Sequence, residues 1–352
     1  MKAILENPSR MISRFSSSSS LACHLSWNTE DFINAHCAVR ESGKFNFEGC
    51  KIPIPTKIRH DRIEAALGSS VTPKEKLVLS LLKYGMPINC SPSFGVQKVQ
   101  KNHFSALCHK QAVDLYVKKN IQCKAMLGPF KECPIQKLCF SPMMTVPKED
   151  GSRRIIVDFS FPPGKAVNDG ISKVSYLDFD IKFSLPSVQS MVWRLNELGP
   201  GCLLYKKDLK GAFRQFGTDP GDYCFTGVSW NGDIYLDTRL AMGMRSSAYC
   251  CQSVTEIIAK IACKEAHVLV YLDDFGGAEP ADRAFESYSH LGKVLEYCGL
   301  EEAHEKAVAP STKMDWLGVR FDTVEWSMAL KPSKHEELLS LLPKILKARR
   351  VK

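Results

Sequence analysis

The run Val268-Leu269-Val270-Tyr271-Leu272-Asp273-Asp274-Phe275-Gly276-Gly277 constrains this chain more than any other stretch. Val268 to Tyr271 is β-branched or aromatic and predicts a strand, so the two carboxylates that follow fall at the tip of a β-hairpin. Gly276-Gly277 is expected to supply backbone freedom just after the acidic pair. Neighbouring carboxylates repel one another unless a cation lies between them. A hard divalent ion with oxygen ligands, Mg²⁺ or Mn²⁺, suits such a pair and calls for at least one further carboxylate from elsewhere. Taken alone, an Asp-Asp pair beside glycines is most often a solvated turn. The rest of the chain has to decide.

With 352 residues, 44% of them hydrophobic and 24% charged, the sequence is that of a globular protein with room for two or three lobes. A formal charge of +9 is compatible with a polyanionic partner. The 14 cysteines are scattered and include no CxxC pair, which argues for free thiols in a reducing, intracellular compartment, cytoplasmic or nuclear, and against a structural zinc. No apolar stretch reaches membrane-spanning length, so no membrane partner is expected. The serine run Ser16 to Ser20, with Lys2, Arg10 and Arg14 nearby, reads as part of a disordered leader covering residues 1–45.

A helical N-terminal extension is expected over 46–124. Thr72-Pro73-Lys74-Glu75 is a capping box that opens a helix ending near Gly85. A second helix is predicted over Phe104 to Lys119, with Leu107, Ala112, Leu115 and Tyr116 turned inward. Beyond it the pattern becomes mixed. Strands are predicted at Phe140 to Pro147, Arg153 to Asp158, Cys202 to Asp208 and Tyr235 to Leu240. Helices are predicted from Ala248 to Ile261 and from Phe285 to Cys298, and a hairpin from Trp316 to Leu330. Ser333 with Glu336 predicts the cap of a last helix, interrupted at Pro343. The fold class is α+β, with antiparallel strands on one face and helices on the other.

The ordered set Lys148, Arg154, Asp208, Phe213, Gly243, Tyr271-Leu272-Asp273-Asp274, Lys306 and Trp316-Leu317-Gly318 resembles the motif series of reverse transcriptases. Met126 to Phe130, the segment Arg154 to Gly170 and Tyr271 to Gly277 look more narrowly like the reverse transcriptase of tyrosine-recombinase (DIRS-type) retrotransposons. The resemblance covers roughly residues 125 to 335, set by motif order and spacing. It implies a right-hand polymerase fold, with fingers and palm over 125–330 and the start of a thumb helix over 331–352. An incomplete thumb is therefore expected.

The implied activity is RNA-directed DNA synthesis on an RNA or DNA template with a primer, using dNTPs and Mg²⁺ or Mn²⁺. Asp208, Asp273 and Asp274 correspond to the metal-binding carboxylates, and Lys306 to a lysine that protonates departing pyrophosphate. Lys293 and Lys313 are rivals for that last role. Lys148 and Arg154 correspond to the triphosphate-binding positions, with Arg153 a close competitor. Phe213 matches the aromatic gate that excludes a 2′-hydroxyl, Gly243 the loop under the nucleotide, and Trp316, Leu317 and Gly318 the primer grip. Ala241, Met242 and Ala248 depart from the family's usual residues. The alternative reading is a catalytically inactive, nucleic-acid-binding remnant of such an element.

Overall fold

The computed structural model describes residues 54–347, apart from 55, 70, 92–94, 96–100, 136–137, 149, 178 and 182–184. The expected leader over 1–45 lies outside the described residues. In chain order the elements are α1 (His60–Leu67), α2 (Pro73–Tyr84), α3 (Phe104–Cys108), α4 (Lys110–Gln122), β1 (Met126–Phe130), β2 (Met143–Pro147), β3 (Arg153–Val157), β4 (Ser175–Tyr176) and β5 (Phe179–Asp180). Then come α5 (Val188–Leu198), β6 (Leu203–Asp208), β7 (Gly227–Trp230), β8 (Asp233–Asp237), α6 (Arg245–Ala262), β9 (Leu269–Tyr271), β10 (Asp274–Glu279) and α7 (Ala284–Cys298). The last are β11 (Val308–Ser311), β12 (Lys313–Trp316), β13 (Val319–Asp322), β14 (Ser327–Leu330) and α8 (Pro332–Lys347). This is a mixed α/β molecule whose sheets are antiparallel.

The chain divides into two units, one running through residue 183 and resuming over Gly211–Val254, the other comprising Ser184–Lys210 and the residues from Thr255 onward. In the first unit, α2 begins with the expected capping box: the Thr72 hydroxyl accepts from the Glu75 N–H, and the Glu75 carboxylate accepts from the Thr72 N–H at 2.8 Å. The predicted second helix is broken at His109 into α3 and α4. Its inward residues are Ala106, Val113 and Val117 rather than Leu107 and Leu115, and Leu115 is 68% exposed. Three-and-four spacing allowed either register, and packing chose the β-branched face. These side chains join Met126, Met143, Val157, Val228 and Tyr235 in one core. Strands β1, β8 and β7 form a sheet, and β7 and β8 turn on Asn231-Gly232, both with positive φ, as a two-residue I′ hairpin requires. Strands β2 and β3 form a separate hairpin.

The second unit is built on a four-stranded sheet in the order β11-β6-β10-β9. Alternation along β6 sends Leu204 into a core with Met191 and Leu195 of α5 and with Met314, Trp316 and Phe321 of the β12-β13-β14 sheet. Tyr205, one residue on, meets Tyr288 of α7, with ring centroids 6.1 Å apart. Helices therefore lie on both faces of this sheet rather than on one. The predicted hairpin from Trp316 to Leu330 is a three-stranded sheet, β12-β13-β14. Helix α7 ends at Gly299 as expected, although Phe285 is 62% exposed and Ser287 takes its place inside. Helix α8 already starts at Pro332, so Ser333 sits in its first turn, and the helix continues through Pro343.

Candidate active site

The acidic residues occupy the end of the sheet where β6, β9 and β10 meet. Tyr271 pairs with Asp274, leaving Leu272 and Asp273 as a two-residue turn. Leu272 has φ +54° and Asp273 is not left-handed, the pattern of a II′ turn, whose first central position ordinarily belongs to glycine. A leucine there costs on the order of 1–3 kcal/mol, and such strain persists only where the surroundings over-determine it. The Leu209 N–H donates to the Asp273 carbonyl at 3.1 Å, tying the turn to β6.

Asp274 opens β10 directly opposite Asp208, the last residue of β6. The three predicted carboxylates thus come together from two strands and a turn. Asp208 is buried. Burial, reinforced by the charge of Asp208, raises the pKa of Asp273. Burial likewise pushes Asp274 up to about 6, with Lys206 opposing and Asp208 adding to the rise. Asp274 Oδ1 is a buried oxygen without a hydrogen bond among the described residues, and the Lys206 ammonium stands 3.3 Å away as an ion-pair neighbour.

Lys306, in a 3₁₀ turn over His304–Lys306, donates to Asp208 Oδ1 at 2.9 Å, and that bond raises the lysine's pKa. Its rival Lys313 is paired with Asp322 at 2.7 Å instead. Among the described residues no three His, Cys, Asp or Glu side chains are grouped as a ready metal-binding set. Lys206 and Lys306 set positive charge against two of these carboxylates, Asp274 and Asp208.

Gly276 and Gly277 do not serve as expected. Both lie inside β10 with ordinary strand conformation, and neither has positive φ. Space is what they provide. A Cβ at Gly276 would stand 2.9 Å from Trp316 Nε1, and one at Gly277 would stand 2.3 Å from the Tyr205 ring and 2.6 Å from the His267 carbonyl. Trp316 is accordingly a core residue behind the carboxylates. Leu317 and Gly318 make the turn beside it, with φ +49° and +83°.

Lys148, Arg154, Phe213 and Gly243 belong to the first unit. Lys148 and Arg154 are exposed on the β2–β3 hairpin, where Arg154 pairs with Val146. Arg153, on the opposite face, is engaged by Thr145, donating to its hydroxyl at 2.9 Å and its carbonyl at 3.3 Å. Phe213 is half-buried in a 3₁₀ turn over Ala212–Gln215. Gly243 has φ +92°, and its carbonyl accepts from Asn168 Nδ2 at 2.8 Å.

Three supporting residues were not singled out from the sequence. Lys206 pairs with Asp274. Arg214, half-buried, anchors the turn carrying Phe213 by donating to the buried Asp237 carboxylate at 2.7 and 2.6 Å. Asn168 braces the loop at Gly243 and also accepts from the Arg245 N–H at 2.8 Å. Only the alternation around Asp208, which turns Lys206 and Asp208 to one face of β6, could have pointed to the first.

No protein-family model and no curated protein matches the sequence. Among solved structures, the chain is similar to the foamy viral protease-reverse transcriptase dRH in complex with double-stranded DNA. The TM-score is 0.56 at 16% identity, over 82% of this chain and 50% of that one. The same viral protein in complex with double-stranded DNA gives 0.56 at 15%, over 85% and 63%. Its complex with an RNA/DNA hybrid gives 0.55 at 15%, over 82% and 39%. The chain has a reverse-transcriptase-like fold. It spans about half the length of the first of these structures and less than two thirds of the others. Among the described residues, no helix is long and apolar enough to cross a membrane.

Proposed function

We propose that the chain is an RNA-directed DNA polymerase of a DIRS-type retrotransposon. In this reading its fingers carry the β2–β3 hairpin, its palm carries β6 and β9–β11, and α8 begins a thumb. One observation carries the reading: Asp208, Asp273 and Asp274 meet at one end of an antiparallel sheet with Lys306 on Asp208, in a reverse-transcriptase-like fold. The fold alone supports a nucleic-acid role. The carboxylate cluster narrows that role to nucleotidyl transfer.

The donor set suits a hard divalent cation: three carboxylates meet, and burial together with the charge of Asp208 raises the pKa values of Asp273 and Asp274. Asp208, Asp273 and Asp274 would hold Mg²⁺ or Mn²⁺. When bound, such ions lower the pKa of a primer 3′-hydroxyl and neutralise charge on the phosphates. Lys306 keeps its proton at Nζ, as a group that protonates leaving pyrophosphate must. Lys148 and Arg154 are free of the strand contacts that occupy Arg153 and would bind the triphosphate of a dNTP. Phe213, braced by Arg214, would exclude a 2′-hydroxyl.

Primer extension by the purified chain on an RNA template, with dNTPs and Mg²⁺ or Mn²⁺, tests the reading beside the Asp273→Asn, Asp274→Asn double variant. Extension lost in the variant is expected. Primer-template binding with no extension by either protein would favour the inactive remnant.

A further inference from the structure

The strand position just before Asp208 holds a buried lysine. Lys207 points to the α7 face of the central strand β6, where an apolar side chain is the ordinary occupant. It meets Glu302 through both carboxylate oxygens, at 2.8 and 3.0 Å, and the two side chains are each only 7% exposed. The ammonium also lies 3.9 Å from the Tyr288 ring centroid. α7 makes room for it at Gly292, where a Cβ would stand 3.2 Å from Lys207 Nζ. Glu302 Oε1 has one more neighbour, Nδ1 of the exposed His304, at 3.5 Å.

Stability alone is a weak reason for such a pair, because an apolar pair of similar volume does as well or better in a protein interior. What an ion pair adds is direction. Its placement is informative: Lys207 immediately precedes Asp208, and Glu302 immediately precedes Ala303. The Ala303 N–H donates to the Asp208 carbonyl at 2.8 Å, and the Lys306 N–H donates to the Ala303 carbonyl at 2.9 Å. Lys306 Nζ then returns to Asp208 Oδ1 at 2.9 Å, closing a ring. Outside the ring, the Lys210 N–H donates to the Glu301 carbonyl at 2.9 Å.

We infer that Lys207 and Glu302 are positioning residues for the candidate active site, an internal clamp that holds the 301–306 segment on β6 so that Lys306 meets Asp208. The inference rests on the polymerase reading in one respect, that Asp208 lies at the reacting centre. Neither residue touches the reacting atoms. Their effect passes through the register of the segment that delivers Lys306.

The test uses the full chain in three forms: wild type, the apolar double variant Lys207→Met with Glu302→Leu, and the charge-swapped double variant Lys207→Glu with Glu302→Lys. Three quantities are read: thermal midpoint, amide hydrogen exchange of the peptide covering residues 300–307, and kcat and KM for dNTP in primer extension. The apolar variant is expected to melt within a few degrees of wild type. Its 300–307 amides should exchange about tenfold faster. Its kcat should fall by roughly ten- to a hundredfold with KM within threefold, as loss of positioning predicts. The charge-swapped variant should recover part of both losses. Unchanged exchange in the apolar variant would overturn the clamp, and faster exchange with unchanged kcat would overturn its role in the reaction. A wild-type chain that does not extend a primer overturns the polymerase reading itself, while exchange still decides whether the clamp exists.

Discussion

The β2–β3 and β9–β10 hairpins both carry charge, yet they handle it in opposite ways. On β2–β3, Lys148 and Arg154 stand in solvent, and Arg153 is engaged by Thr145 on the neighbouring strand. On β9–β10, the carboxylates are packed against β6, their pKa values rise, and Lys206 of that strand is paired with Asp274. Exposed charge costs little and is screened by salt, whereas buried charge costs stability unless a partner compensates it. A hairpin of the first kind suits recruitment of an anion, and one of the second kind suits chemistry at a fixed point.

The largest effect should come from removing the buried charge. The Asp273→Asn, Asp274→Asn double variant should lose roughly 10³-fold or more in primer-extension rate, about 4 kcal/mol of transition-state stabilisation, with primer-template affinity within threefold. Equal extension rates in steady-state assays would break the contrast between the hairpins.

Next comes the packing that keeps one hairpin dense and the other open. Gly277→Ala places a methyl 2.3 Å from the Tyr205 ring and 2.6 Å from a backbone oxygen, so it should cost about 3 kcal/mol or more in chemical denaturation. Gly151→Ala, in the β2–β3 turn, has φ +78° but open space around it, and should cost about 1 kcal/mol.

A pH titration of stability sharpens the comparison further. An acid whose folded pKa is raised from 3.8 to about 6 contributes stability that is fully present below pH 3.8 and lost as pH rises through 6. In chelator, Asp274→Asn should therefore be more stable than wild type at pH 7.5, by roughly 2 kcal/mol, and should lose that advantage near pH 4. Thermal melts across this range read the difference directly, and parallel curves would show that burial does not penalise the Asp274 charge.

The smallest effect on stability belongs to the exposed cations. Lys148→Ala and Arg154→Ala should each leave the melting midpoint within the equivalent of ~0.5 kcal/mol while raising KM for dNTP about tenfold, whereas Arg153→Ala, which loses its Thr145 bonds, should reverse that order.

Much of the site was legible because its chemistry is local. A β-branched run before Asp273, a strand ending at Asp208 and a capping box at Thr72 are short-range signals, and the structure realises each of them. The failures share a different cause. Helical spacing could not tell Leu115 from Val113 as the inward residue, because the choice depends on which neighbour packs there. The role of Gly276-Gly277 could not be read either, because Trp316 and Tyr205 approach them from distant parts of the chain.

The order of the motifs, the strand endings and the identity of the carboxylates were determined by the sequence itself, since turn chemistry and periodicity act over a few residues. Only the tertiary structure decided which lysines meet those carboxylates, why glycines flank them and how Lys207 finds Glu302, 95 residues away. These are contacts between segments far apart in the chain. Their formation depends on strand register and on the desolvation of charge, and neither is expressed in any local run of residues.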